Sequence, residues 1–188
     1  MHTHPSRKTG QPVSPDLKGF TLTELLVCLS VIAIITLVAV PPMRALSKRS
    51  RATSTTNALI THLHLTRSTA ITRRVTTVMC PTTDGAACSD STDWGSGWLV
   101  FLDRSGTGRP DATADIVRAQ QQPISASMQL SSTAGRTRIR YLPDGRSAGS
   151  NLTLSLCDDQ GALLSRVIVN NTGRVRSERA SASARCRG

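Results

Sequence analysis

Lys18-Gly19-Phe20-Thr21-Leu22-Thr23-Glu24-Leu25-Leu26 opens an apolar run that continues to Val40, and between Phe20 and Val40 the only side chain charged at neutral pH is Glu24. As a helix of about 1.5 Å per residue, the run reaches about 31 Å, the thickness of a bilayer's hydrocarbon core. A carboxylate placed inside a membrane costs on the order of 2.5 to 3.5 kcal/mol, so it calls for a partner charge and a task. The local sequence supplies no partner. A cut between Gly19 and Phe20 creates one, because every copy then carries an α-amino group near the depth of its neighbour's Glu24. The stretch therefore predicts a membrane helix that assembles with copies of its own kind.

Residues 1–19 are polar, contain Pro5, Pro12 and Pro15, and show no hydrophobic period, so they are expected to be disordered and removed. Residues 20–42 form the membrane half of a long helix. Pro41-Pro42 should kink or interrupt it, since proline removes a donor and clashes with the preceding turn. Leu59, Ile60, Leu63, Ala70 and Ile71 then recur at helical spacing, so residues 43–73 read as an amphipathic helical half. After Arg74 the pattern changes to short β-type runs: 75–80, 98–102, 116–119, 128–130, 137–142, 152–157 and 163–169. Gly, Pro and Asp punctuate them, most clearly at Pro143-Asp144-Gly145 and Gln160-Gly161. The expectation is an α+β fold in which an antiparallel sheet, residues 74–188 with a basic C-terminal tail, packs on the long helix.

The chain has 188 residues and a net charge of +11, with the positive charge clustered. Residues 43–79 carry seven basic residues and no acidic one, and residues 136–188 carry ten basic against four acidic. Clustered basic surface points to an anionic partner such as nucleic acid or lipid. Enzyme chemistry is poorly provided: no Ser-His-Asp set, no converging acid pair and no metal spacing emerges, and no cofactor is implied. His62 and His64 lie two apart and so fall on different sides of a helix. The segment from Asp103 to Asp111 is similar to a calcium loop, but Ala114 stands where the bidentate acid is required, so a plain turn is expected. Cys80, Cys88, Cys157 and Cys186 allow three pairings. Cys80 with Cys88 and Cys157 with Cys186 is the pairing expected, since each bond then ties down a segment without regular structure of its own. Disulfides imply an oxidising compartment. Cys28 lies in the apolar run.

Near the C terminus comes Asn171-Thr172-Gly173-Arg174-Val175-Arg176. In extended chain, residues two apart point the same way, so Arg174 and Arg176 present two guanidinium groups together while Val175 faces inward. Guanidinium matches phosphate oxygens bidentately, and Gly173 supplies the turn. With only one Tyr, two Trp and two Phe in the chain, stacking on single strands is poorly supplied, Tyr141 being the candidate near the basic region. Duplex DNA held through its phosphates fits better.

The opening stretch resembles the class III leader of type IV pilins and type II secretion pseudopilins. That resemblance implies cleavage by a prepilin peptidase after Gly19, N-methylation of Phe20 and a role for Glu24 in subunit assembly. Cys80-Pro81-Thr82, Asp84-Gly85, Cys88, Trp94, Gly97 to Asp103, Pro143-Asp144-Gly145, Cys157 and Gly173-Arg174-Val175-Arg176 resemble the GspH/FimT branch of that type IV pilin-like superfamily. In FimT-type minor pilins a Gly-Arg-x-Arg motif binds DNA during uptake, which implies DNA binding here by Gly173, Arg174 and Arg176. Arg136, Arg138, Arg140, Arg146, Arg166 and Arg179 are candidates to extend the basic patch.

The implied function is a minor pilin of a type IV pilus that binds double-stranded DNA non-specifically during natural transformation. The alternative is a structural pseudopilin of a pilus or type II secretion system without DNA binding. The implied partners are other pilin subunits, the prepilin peptidase, DNA and the inner membrane. The implied location is a single-pass anchor with a periplasmic C-terminal domain, and the pilus tip after assembly. The Cys157–Cys186 bond is further expected to close the chain around the arginine pair, so that reduction weakens DNA binding.

Overall fold

The computed structural model describes residues 19–121, 124–149, 151–181 and 183–186, apart from the side chains of residues 38, 40–42, 44 and 45. The expected leader therefore falls, except for Gly19, outside the described residues. The chain divides into two units, up to Arg44 and from Ala45 onward, and α1 (Leu22–Arg73) contributes to both.

In the first unit Thr21 caps the helix: the Glu24 N–H donates to Thr21 Oγ1 at 3.3 Å. Thr21-Leu22-Thr23-Glu24 has the spacing of a capping box, and a carboxylate in the first turn interacts favourably with the helix dipole. Every side chain from Thr21 to Leu37 is exposed. Among the described residues no helix is long and apolar enough to cross a membrane; the side chains described without a break in the apolar run end at Leu37. The chain is helical at Pro41 and Pro42, so the expected interruption does not occur. The two prolines are adjacent and remove only two consecutive donors, and the turns on either side keep theirs.

In the second unit the helix buries a stripe of Ala52, Thr56, Leu59, Leu63, Thr66 and Ala70, spaced by three or four residues as one face requires. It covers two four-stranded antiparallel sheets rather than the single sheet expected. The strands are β1 (Thr77–Pro81), β2 (Trp98–Leu102), β3 (Ile116–Gln120), β4 (Met128–Ser132), β5 (Ile139–Tyr141), β6 (Leu152–Asp158), β7 (Leu163–Val169) and β8 (Val175–Arg179). The first sheet runs β3-β2-β1-β5 and the second β4-β6-β7-β8.

The patterns of the strands explain the division. All five residues of β1 and of β2 are buried: Met79, Trp98 and Val100 join the core under the helix, while Val78, Cys80, Leu99 and Phe101 form a second cluster with Cys88 and Ile116. By contrast β7 alternates strictly between buried and half-buried residues, so its sheet has one face on the core and one facing water. Leu154, Leu156, Val167 and Val169 supply that inner face and meet Leu59 and Leu63 of the helix in one cluster. A buried leucine of this kind is worth about 1.5 to 3 kcal/mol in apolar burial alone.

Polar contacts fix the helix in place. Trp98 Nε1 donates to His62 Nδ1 at 2.8 Å, Thr56 Oγ1 and Ser165 Oγ lie 2.7 Å apart, and Lys48 Nζ meets Asp158 Oδ2 at 2.7 Å. The disulfides Cys80–Cys88 and Cys157–Cys186 are both formed. The C-terminal segment is not a free tail. The Leu163 N–H donates to the Ala184 carbonyl and the Cys186 N–H to the Gly161 carbonyl, which folds it back onto the β6–β7 turn.

Candidate nucleic-acid interface

The chain leaves β7 at Val169 and re-enters the sheet at Val175 through a turn organised by Asn170. Its side-chain Oδ1 accepts the Arg174 N–H at 2.9 Å and the Thr172 hydroxyl at 2.7 Å. The Gly173 N–H returns to the Asn170 carbonyl at 2.9 Å. Gly173 is buried with φ +77°, in the left-handed region that a side chain disfavours. A Cβ there would overlap the Gly145 carbonyl oxygen and stand 3.1 Å from Tyr141 Cε1. The turn is thus seated on a second turn, Pro143-Asp144-Gly145, and the Ser147 N–H donates to the Asn171 carbonyl between the two. Arg67 of α1 reaches Thr172 O at 3.4 Å and ties both turns to the helix.

Beyond the turn, Val169 pairs with Val175, Ile168 with Arg176 and Arg166 with Glu178. Val175 packs on the main core. Arg174 and Arg176, two apart and both exposed, therefore project from the opposite, water-facing side. The Asn170 N–H donates to the Arg174 carbonyl, so the ladder already holds Arg174 in strand geometry. The sequence places this pair in extended chain, and the structure makes that chain a strand at the sheet edge. Glu178 shares the outward side and lies 3.4 Å from Arg176 Nη2.

The six candidate extension arginines do not form one patch. Arg166 lies on the water-facing side of β7, whereas Arg179 pairs with buried Ser165 and lies on the other side of β8 from Arg176. Arg138 and Arg140 belong around the first sheet and are paired with Asp90 and Asp103. Arg146 is paired with Asp144 at 2.7 Å within its own turn. Arg136 lies in the β4–β5 connection, where a Cβ on Gly149 would meet its Nη1. The buried Asp103 carboxylate accepts the Gly108 N–H at 2.9 Å as well as facing Arg140, so the 103–111 segment is a turn closed on its own donors.

One candidate drops out and one expectation is corrected. Tyr141 is fully buried, and burial pushes its hydroxyl up to about 12 against an opposing effect from Arg67, so it offers no ring to a base. The Cys157–Cys186 bond does not close around the arginine pair. It lies with Gly161 and Leu163 at the start of β7, while Arg174 lies beyond Val169 at its end, about 20 Å away along the strand. Sequence spacing alone puts Cys186 ten positions past Arg176; β8 carries the intervening residues away from the turn.

Asn170, Glu178 and Arg67 were not singled out from the sequence. Asn170-Asn171-Thr172-Gly173 carries a legible turn signal in its Asn and Gly. Nothing local marks Arg67, which acts across 105 positions of sequence. At the other end of the chain, Gly19 and Phe20 are exposed and precede the helix, and Glu24 lies in its first turn.

Comparison with known proteins adds a family to this geometry. A family model described as Type II transport protein GspH matches residues 55–173, and one described as Prokaryotic N-terminal methylation motif matches residues 17–40. No curated protein sequence matches the chain. Among solved structures, the type IV minor pilin FimU of Pseudomonas aeruginosa is similar at a TM-score of 0.57 and 18% identity, covering 71% of this chain and 92% of that one. A second crystal form of FimU gives a TM-score of 0.51 at 17% identity, covering 69% and 90%. The minor pseudopilin EpsH of the Vibrio cholerae type 2 secretion system gives 0.49 at 16% identity, covering 69% and 97%.

Proposed function

The chain belongs to the GspH family, as a subunit of minor pilin or pseudopilin type, and from that premise we propose that it binds double-stranded DNA without sequence preference during DNA uptake. One observation carries this reading: Arg174, at the end of a turn locked by Asn170 and Gly173, and Arg176, on the edge strand that follows, project together and are both exposed. Two guanidinium groups held on one side need little further ordering when they meet successive phosphates. The domain's aromatic rings at Trp94, Trp98, Phe101 and Tyr141 are buried, so backbone contact rather than base stacking is the available mode.

Delivery to a filament follows from the other end. Cleavage after Gly19, methylation of Phe20 and use of Glu24 in assembly are supported by the methylation-motif match and by the exposed apolar run. A single-pass inner-membrane anchor with the second unit in the periplasm accommodates that run and the two disulfides. Other pilin subunits and a prepilin peptidase are the protein partners. The family and fold are those of filament subunits rather than of enzymes, and no catalytic residue, metal or cofactor is assigned.

The test is fluorescence anisotropy with a labelled duplex, on the full chain in neutral detergent. Replacing Arg174 and Arg176 together by alanine should lower the slope of log affinity against log salt by about 1.8, or about 0.9 for each phosphate contact. Unchanged affinity and slope would reject the reading. A purely structural subunit is the second reading, favoured by the pairing of Arg138, Arg140, Arg146 and Arg176 with acids of the same chain. It predicts that deletion abolishes piliation or secretion while purified protein shows no duplex binding.

A further inference from the structure

The second sheet turns one face to water, and register places its side chains in rows. Ser131, Ser155, Arg166 and Glu178 lie side by side across β4, β6, β7 and β8. Thr153, Ile168 and Arg176 form the next row. Arg176 and Glu178 are exposed, the others are half-buried and none is buried, which is the accessibility of an open sheet face. On β4 and β6 this face carries Ser131, Thr153 and Ser155, which offer hydroxyl donors, and at its far edge Asp93 bridges to Ser131.

Arg166 stands diagonally from Arg176 on the adjacent strand, a separation of about 7 to 8 Å, and Arg174 to Arg176 along β8 is about 7 Å. The three arginines thus form a bent row with nearly equal steps. Arg166 makes no ion pair among the described residues, although Glu178 is its register partner. That carboxylate leans instead to Arg176, the one strand-borne member of the motif pair. Glu178 is also the only carboxylate among the outward positions of β7 and β8.

We infer that the DNA-contacting surface continues from β8 onto the open face of β7, with Arg166 as a third phosphate contact and Glu178 as a built-in limit on affinity. This rests on the reading of Arg174 and Arg176 as DNA-binding residues. Phosphate oxygens approaching Arg176 compete with Glu178 for the same guanidinium and are repelled by its charge. Arg166, although beside Glu178, is not ion-paired to it and lies where a backbone running across the sheet would pass next.

The experiment is the same anisotropy titration, on the full chain in neutral detergent with a random-sequence duplex, between 50 and 200 mM salt. Arg166→Ala should lower the salt slope by about 0.9, so that the affinity lost over this range shrinks by about 3.5-fold. Arg166→Lys should retain the slope, which separates loss of charge from loss of fold. Arg179→Ala removes the same charge from the other side of β8 and should leave the slope unchanged. Glu178→Gln should bind more tightly than the unmodified chain. A wild-type slope in Arg166→Ala, or no gain in Glu178→Gln, overturns the inference. The DNA reading survives that result when the Arg174, Arg176 double variant still loses its slope; absence of binding by the unmodified chain defeats both.

Discussion

Gly173 packs on Gly145 backbone to backbone, with the side of Tyr141 closing the contact. The two turns that meet here are separated by the whole of β6 and β7, so the contact fixes where the second sheet ends relative to the first. Substituting Gly173 by alanine adds a left-handed backbone cost of about 1 to 2 kcal/mol and an overlap with a carbonyl oxygen that cannot rotate away. Denaturant unfolding of Gly173→Ala should show a loss above about 2 kcal/mol, accompanied by weaker duplex binding. Gly145→Ala should be milder, because its Cβ would meet the Ile71 side-chain tip, which can move.

The Cys157–Cys186 bond spans 29 positions, and chain entropy assigns such a loop about 3 to 4 kcal/mol. It lies at the opposite end of β7 from Arg174. Cys157→Ser with Cys186→Ser should therefore lower the unfolding free energy while the salt slope of duplex binding stays as it was. A slope that falls with the disulfide would show that the C-terminal segment positions the arginines after all.

His62 makes the helix–sheet contact sensitive to pH. Burial, reinforced by the nearby Arg118 charge, holds its imidazole below the usual 6.5. Its Nδ1 accepts from Trp98 Nε1, so the neutral ring carries its proton on Nε2. Because the folded value lies below the unfolded one, the unfolded chain binds the proton first. The contribution is complete above about pH 6.5 and is lost as pH falls through the lower folded value. Melting temperature should fall from pH 7 to pH 5, and His62→Phe should flatten that fall while starting from a lower value.

Asp158 closes the β6–β7 turn. Its Oδ1 accepts the Gln160 and Ala162 N–H groups at 3.0 and 2.7 Å while Oδ2 binds Lys48, and the lysine's hydrogen bond leads in holding the carboxyl below its usual range. Asp158→Ala leaves these donors unanswered and should cost about 1 to 3 kcal/mol. Asp158→Asn should cost less, because the amide oxygen can still accept. In the unmodified chain this contribution is present above about pH 3.8 and disappears as acid titrates the carboxyl through its depressed folded value.

The long helix and most strands were legible because their periods are strong. Trp98–Leu102 and Leu163–Val169 read from the sequence with the bounds the structure gives. The split into two sheets was not legible, since period reports which residues are buried and not which strand lies beside which. Pro41-Pro42 do not end the helix, because proline's local cost does not always outweigh the turns on either side. The arginine pair was legible from period two, but its neighbours were not. Arg166 and Glu178 are 12 positions apart in sequence and become register partners only when β7 and β8 pair. The other arginines looked equivalent because ion pairing with Asp90, Asp103 or Asp144 is a property of the folded surface.

In β2, Trp98 and Val100 turn to one core and Leu99 and Phe101 to the other, so part of the interior is held by strands that contribute nothing to the arginine face, and β7 and β8 keep their core residues on the side away from it. Arg166, Arg174 and Arg176 in turn touch neither core. Exchanges at such positions usually change stability by no more than about 0.5 kcal/mol. A lineage could therefore gain or lose the nucleic-acid contact in two or three substitutions on an unaltered frame, and sibling subunits of one fold could diverge in cargo without diverging in architecture.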